Sequence, residues 1–269
     1  MPTTPSALFE DDELAGDVEA ALRGSTELRD LQRAAETLRS HPDRLLAKLR
    51  FIREDPDLLE ALAGRSYRHQ NGFTKVKLVA KNRYSVRLHL WTPSATPRGD
   101  VDPHAHRWAF ASWVVCGAGI RERFYERSAG FGPAAGPYHR YLFGADTADA
   151  WYVEPVERTW LTETQSLDRP KGTVYVCPLG TVHTVSPLGG GFAATVVVQG
   201  PHITGPVPVY TLVGSYPRAY ERPISAAELH TDLRAFEGAL GQLIEAETLS
   251  PAAKPESVNL FEARPIGIY

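Results

Sequence analysis

The chain has 269 residues, of which 43% are hydrophobic, 23% charged and 10% aromatic, and its formal net charge is −3. That balance is globular and excludes collagenous, disordered and coiled-coil classes. It offers no basic footprint for a phosphate backbone, so nucleic acid is not an expected partner. No stretch reaches the ~20 apolar residues that span a bilayer. The start, Met1-Pro2-Thr3-Thr4-Pro5, lacks the basic-then-apolar pattern of a signal peptide, so no membrane partner and a cytoplasmic location are expected.

From about 10 to 65 the sequence is polar and Ala/Leu-rich, with apolar residues at helical spacing. Leu28, Leu31, Ala35 and Leu38 follow the three-and-four step, as do Leu45, Leu46, Leu49 and Ile52. Ser40-His41-Pro42 and Asp55-Pro56-Asp57 break this run into short helices, because proline disfavours helix in the residue before it and is tolerated in a following first turn. At Phe73 the pattern changes to short runs rich in Val, Tyr, Trp and Thr between Gly/Pro turns. Strands are predicted over 73–79, 84–91, 109–116, 120–126, 138–143, 150–153, 158–165, 173–176, 183–186, 193–199 and 209–213. So many short strands point to a closed barrel or jelly roll. Ser225-Ala226-Ala227-Glu228 then reads as a capping box, followed by a helix with Leu229, Leu233, Phe236, Leu240, Leu243 and Ile244 on one face. The expected organisation is a helical segment over 1–66, a β-barrel over 67–215, and a helix with an extended tail over 216–269, in one structural unit. Cys116 and Cys177 stand outside any CxxC pair and read as small buried hydrophobes.

The chemistry-bearing residues are histidines. Of the nine, His41, His69, His89, His139, His202 and His230 stand alone and read as ordinary histidines. His104-Ala105-His106 differs: residues two apart in a strand share a face, so both imidazoles can reach one metal ion. Some way downstream, Gly172 to His183 runs strand, tight turn, histidine, with Pro178 and Gly180 suited to the turn. The spacing G-x5-P-x-G-x2-H resembles the second motif of the cupin superfamily. The first cupin motif, G-x5-HxH-x3-4-E-x6-G, is matched in part. His104 and His106 fit it, Gly99 stands one residue too close, and Gly117 falls near the later glycine. Its glutamate falls at Phe110 or Ala111, neither of which binds metal.

This resemblance implies a cupin double-stranded β-helix, a jelly-roll barrel, holding an ion on His104, His106 and His183. A three-histidine cupin is similar to the thiol dioxygenases, exemplified by cysteine dioxygenase, and that implies Fe(II) with O2 and a small-molecule substrate. Imidazole also suits Zn, Ni or Cu, and Mn is a further candidate. By the same resemblance Lys75, or Lys77, grips a substrate carboxylate; the alternative for each is a solvated strand lysine. The Cys and Tyr that crosslink in cysteine dioxygenase are replaced by Ala111 and Gln199, so the resemblance does not carry its substrate. A homodimer is a further expectation from the resemblance.

Other pocket candidates come from alternation. Stepping by twos from His106 gives Trp108, Phe110, Ser112, Val114 and Cys116, an apolar wall with one hydroxyl. In 84–91, Arg87, His89 and Trp91 alternate with Val86, Leu88 and Leu90, so the polar set faces either solvent or lumen; in the lumen, the fork of Arg87 suits a carboxylate. Glu122 is a fourth ligand, a support for a ligand, or a surface carboxylate. Tyr175 and Gln199 are candidates to hydrogen-bond substrate or oxygen, whereas Arg107 points the other way and anchors the fold. Three functions remain open: a mononuclear non-haem iron oxygenase of small carboxylate-bearing molecules, a non-redox metal-dependent isomerase, lyase or hydrolase, and a small-molecule-binding module.

Overall fold

In the computed structural model, four helices open the chain at the places the proline breaks require: α1 (Glu13–Leu22), α2 (Leu28–Ser40), α3 (Pro42–Glu54) and α4 (Pro56–Ala63). The structure describes residues 12–95, 99–100, 102–128, 137–147, 150–212 and 221–249. The predicted tail after residue 249 lies outside them. Asp12 caps α1 by accepting from Ala15 N at 3.0 Å, and Asp55 caps α4 by accepting from Asp57 N and Leu58 N. The apolar stripes of these helices, including Leu31, Leu38, Leu45, Leu49 and Ile52, are buried.

The β region forms twelve strands: β1 (Tyr67–His69), β2 (Phe73–Ala80), β3 (Ser85–Trp91), β4 (Phe110–Cys116), β5 (Ile120–Ser128), β6 (Pro137–Thr147), β7 (Ala150–Arg169), β8 (Val174–Cys177), β9 (His183–Pro187), β10 (Ala193–Gln199), β11 (Val207–Thr211) and β12 (Arg222–Pro223). The closing helix α5 spans Ala226–Leu249. Its capping box is present: Glu228 N donates to Ser225 Oγ, and Ser225 N donates to Glu228 Oε2 at 3.1 Å.

The strands make two antiparallel sheets, a seven-stranded one ordered β12-β1-β2-β3-β10-β4-β8 and a five-stranded one ordered β11-β6-β7-β5-β9. The helices cover the outer face of the larger sheet, and Val76, Val86, Leu88, Leu90, Trp113, Val196 and Val198 join Leu31, Leu49, Leu233 and Phe236 in one core. A second core, with Phe73, Trp91, Phe110, Val114, Val197 and Ile120, lies between the two sheets. Central strands β4 and β10 are therefore buried on both faces, which explains their near-continuous apolar sequences.

Four expectations are corrected. Among the described residues the two sheets of the expected jelly roll share no strand, so the barrel is not closed, and they stack face to face. The strands predicted over 150–153 and 158–165 are one 20-residue strand, because a register shift opposite Arg140 and Tyr141 takes up Val156, next to Pro155, without ending the ladder. Cys116 does not continue the wall from His106: a register shift between Ala194 and Thr195 puts it in the helix-side core. The HxH is not part of a regular strand, and β1 and β12 were not foreseen. Among the described residues no helix is long and apolar enough to cross a membrane.

Candidate metal centre

The segment before β4 is pinned between the edge strands of the smaller sheet. His104 N donates to His183 O at 3.1 Å and His183 N to His104 O at 3.0 Å, while Ala105 N donates to Pro208 O at 3.0 Å. Extended backbone held this way gives His104 and His106 the common face that a strand would have given. Gly99 makes the approach feasible: its φ is +108°, and a Cβ there would lie 2.5 Å from the Ser186 backbone on β9. At the other motif, the turn after β8 places Gly180 at φ +77° and delivers His183 to the first position of β9.

The candidate donor nitrogens of His104, His106 and His183 lie within 4.8 Å of one another. His106 Nε2 and His183 Nε2 are 3.1 Å apart. Metal–imidazole bonds of about 2.1 Å at right angles separate two nitrogens by about 3 Å, so this spacing fits two neighbouring ligands of one ion. The opposite nitrogens are occupied. His104 Nδ1 lies 3.0 Å from Asp102 O, and His183 Nδ1 lies 3.0 Å from Glu122 Oε1. Donation through Nδ1 leaves Nε2 with a lone pair for metal. Burial holds His104 below, and His106 well below, the ordinary imidazole range, so both are neutral near pH 7, as ligands must be. His106 is fixed by rings, stacked on Trp108 at 5.0 Å and edge-on to Phe110 at 5.5 Å. Donor chemistry and spacing therefore fit a metal ion.

Glu122 is fully buried and belongs to this centre, but as a support. Its Oε1 meets the far nitrogen of His183, and its Oε2 accepts from Arg169 Nη2 at 3.0 Å and Nε at 3.3 Å. The readings as fourth ligand and as surface carboxylate are corrected, since the carboxylate stands on the opposite side of the ring from Nε2. Arg169 was missed, and nothing in its sequence setting at the end of a long strand marks it. Cys177, read as a plain buried hydrophobe, has Sγ 3.9 Å from His183 Nδ1, and Glu122, Cys177 and His183 form a second buried donor group. In that group His183 Nδ1, the nitrogen beside Cys177, lies 3.0 Å from Glu122 Oε1.

The wall beside the imidazoles comes from the larger sheet. Arg87, His89 and Trp91 face inward, while Val86, Leu88 and Leu90 join the helix-side core, which settles the alternation in favour of the interior. Trp108 is the meeting point: Lys75 Nζ lies 5.8 Å and Arg87 Cζ 5.5 Å from its ring, and His202 stacks on it at 4.6 Å. Lys75 is only 8% exposed, which corrects the solvated-lysine alternative. His69, His89 and His202 leave the ordinary group, because His69 and His89 flank Phe73 at 4.5 Å each and His202 caps Trp108. The inward alternation with Arg87 was the signal for His89; His69 and His202 had none. Gln199 is buried at the end of β10, paired with Phe110 and Ser85. Tyr175 lies 6.3 Å from Phe110 with Arg169 over its ring at 5.2 Å, and burial pushes its hydroxyl pKa up. Arg107 is buried.

No protein-family model matches the chain, and no curated protein sequence matches it. Solved structures similar to it include proteins described as cupins. An RmlC-like cupin from Methanocaldococcus jannaschii is 9% identical, covering 48% of this chain and 81% of that one with a TM-score of 0.28. An RmlC-like cupin from Shewanella frigidimarina is 13% identical, covering 51% and 82% with a TM-score of 0.27. KdgF from Halomonas sp. is 14% identical, covering 49% and 82% with a TM-score of 0.27. At these values nothing about site or activity passes from those proteins to this one.

Proposed function

We propose that this chain is a metal-dependent enzyme, a mononuclear non-haem iron oxygenase of a small carboxylate-bearing molecule. The observation that carries the reading is the set of three imidazoles whose ring nitrogens lie within 4.8 Å of one another, with no carboxylate among the described residues completing that set. Fe(II) bound there would supply the redox chemistry with O2, keeping coordination positions open for substrate and oxygen. Around that position the chain's own residues have separable tasks. Lys75 and Arg87 bind the substrate carboxylate, and Trp108 provides the flat wall between that anion and His106. Phe110 and Val114 exclude water from the inner end. Glu122, compensated by Arg169, holds the Nδ1 proton of His183 and thereby the orientation of its ring.

The test is elemental analysis of protein purified without added metal or chelator, alongside His183→Ala. About one iron per chain, lost in His183→Ala, is the expected result for an imidazole site; substrate screening then follows O2 uptake. Unchanged metal in His183→Ala would remove the site assignment. Zinc, nickel or manganese with O2-independent turnover would replace the oxygenase by a Lewis-acid isomerase or lyase, and a metal-free protein would leave a binding module.

A further inference from the structure

Lys75 and Lys77 alternate on β2 with Thr74 and Val76, which face the helices, so both lysines face the space between the sheets. Arg87 faces the same space from β3, directly opposite Lys77, while Lys75 stands opposite His89. Like charges directly opposite one another in a ladder are destabilising. Among the described residues no carboxylate stands in ion-pair contact with them, and the exposed carboxylate of Glu221, hydrogen-bonded to Tyr67, is the one negative charge that acts on all three. Their contacts are rings and one hydroxyl: Lys75 Nζ and Lys77 Nζ lie 5.6 and 5.4 Å from the Tyr67 ring, Lys75 and Arg87 flank Trp108, and Arg87 Nε donates to Ser85 Oγ at 3.1 Å. Opposite Lys75, His89 Nε2 is buried without a hydrogen-bond partner. Cations taken out of water are ordinarily paired, so one buried and two half-buried cations sharing the exposed carboxylate of Glu221 are short of counter-charge.

We infer that Lys75, Lys77 and Arg87 form a subsite for a small dianion, a dicarboxylate or phosphate head whose remainder extends past Trp108 toward the imidazoles. The inference rests on the function proposed above and narrows its substrate class from one acidic group to two negative charges. With the charge of Glu221 counted against the three cations, a single carboxylate leaves one cation uncompensated and a dianion leaves none. His89 Nε2, on the same inner face, is available to the head as a further hydrogen-bonding group.

The test is calorimetric titration of the purified protein with malonate, inorganic phosphate and acetate at constant ionic strength. At least one dianion is expected to bind ten-fold or more tightly than acetate, and to lose ten-fold or more in both Lys77→Gln and Arg87→Gln while metal content stays unchanged. Which dianion binds more tightly identifies the head. Acetate binding as well as the dianions, or dianion affinity unchanged in the two variants, overturns the subsite. Because malonate also chelates metal, the titration is repeated on His183→Ala: a preference that persists supports the cation subsite, and one that vanishes places the anion on the metal and overturns it. Dianion preference in a protein without metal sinks the proposed oxygenase and leaves the subsite standing; metal without the preference does the reverse.

Discussion

Glu122 spends its charge on a ring. One oxygen faces His183 Nδ1 at 3.0 Å and the other is neutralised by Arg169 at 3.0 Å, so the carboxylate fixes a tautomer without adding a ligand. Glu122→Gln keeps the shape but weakens the hold on the Nδ1 proton, and metal affinity should fall by about 10–100-fold, the usual effect of removing such a support. Competition with a chromophoric chelator measures this, and an unchanged affinity would show that His183 needs no partner behind it. His104 makes the contrast, since its Nδ1 meets a backbone oxygen, that of Asp102, which no side-chain substitution removes. Of the residues read from sequence, His104, His106 and His183 come together as expected, and Lys75, Arg87 and Trp108 line one wall. The motif spacing carried the first set. The second set was legible only as an unresolved alternation, because a strand with a polar and an apolar face looks the same whether the polar face meets water or a cavity.

At the scale of elements, local signals and long-range ones behaved differently. The proline breaks between α2, α3 and α4 and the capping box of α5 are local chemistry and lie where the sequence placed them. Removing the cap has a correspondingly local cost: Ser225→Ala should destabilise the protein by about 1 kcal/mol, read by urea denaturation, with metal content unchanged. A loss well above that would mean that α5 is bound less firmly by its apolar face than its burial indicates. Strand limits at β7 and the facing of Cys116 depended instead on register shifts against β6 and β10. A bulge is a property of two paired strands, so neither strand's own sequence displays it.

For the whole molecule, burial between the sheets disfavours the charged form of His69, His89 and His202. Burial, followed by the charge of Lys75, keeps His69 and His89 well below the ordinary imidazole range, and burial followed by Arg87 pushes His202 down to about 4. The unfolded chain takes up these protons below about pH 6.5, whereas the fold refuses them until far lower. Their contribution to stability is therefore full above that pH and is lost as pH falls toward the folded values. Unfolding free energies measured in chelator should decline on going from about pH 7 to about pH 5, and His89→Gln should make that decline shallower. His202 contributes least, because it is exposed and screened by solvent. An identical slope in His89→Gln would show that this buried ring is not among the groups refusing a proton.

The sequence by itself determined the helix breaks, the strand-rich middle, the capping box and the identity of the three imidazoles, because each is written in spacing or in a few adjacent residues. Tertiary structure decided how those parts meet. It opened the expected barrel into two stacked sheets under a helical layer, moved Glu122 from possible ligand to the support of His183, and drew His69, His89, His202 and Arg169 to the site from distant strands and loops. The physical reason is that burial and pairing are collective. Whether Arg87 meets water or Trp108, and whether Lys75 is solvated or enclosed, is set by the packing of one sheet on another, which no single stretch of sequence specifies.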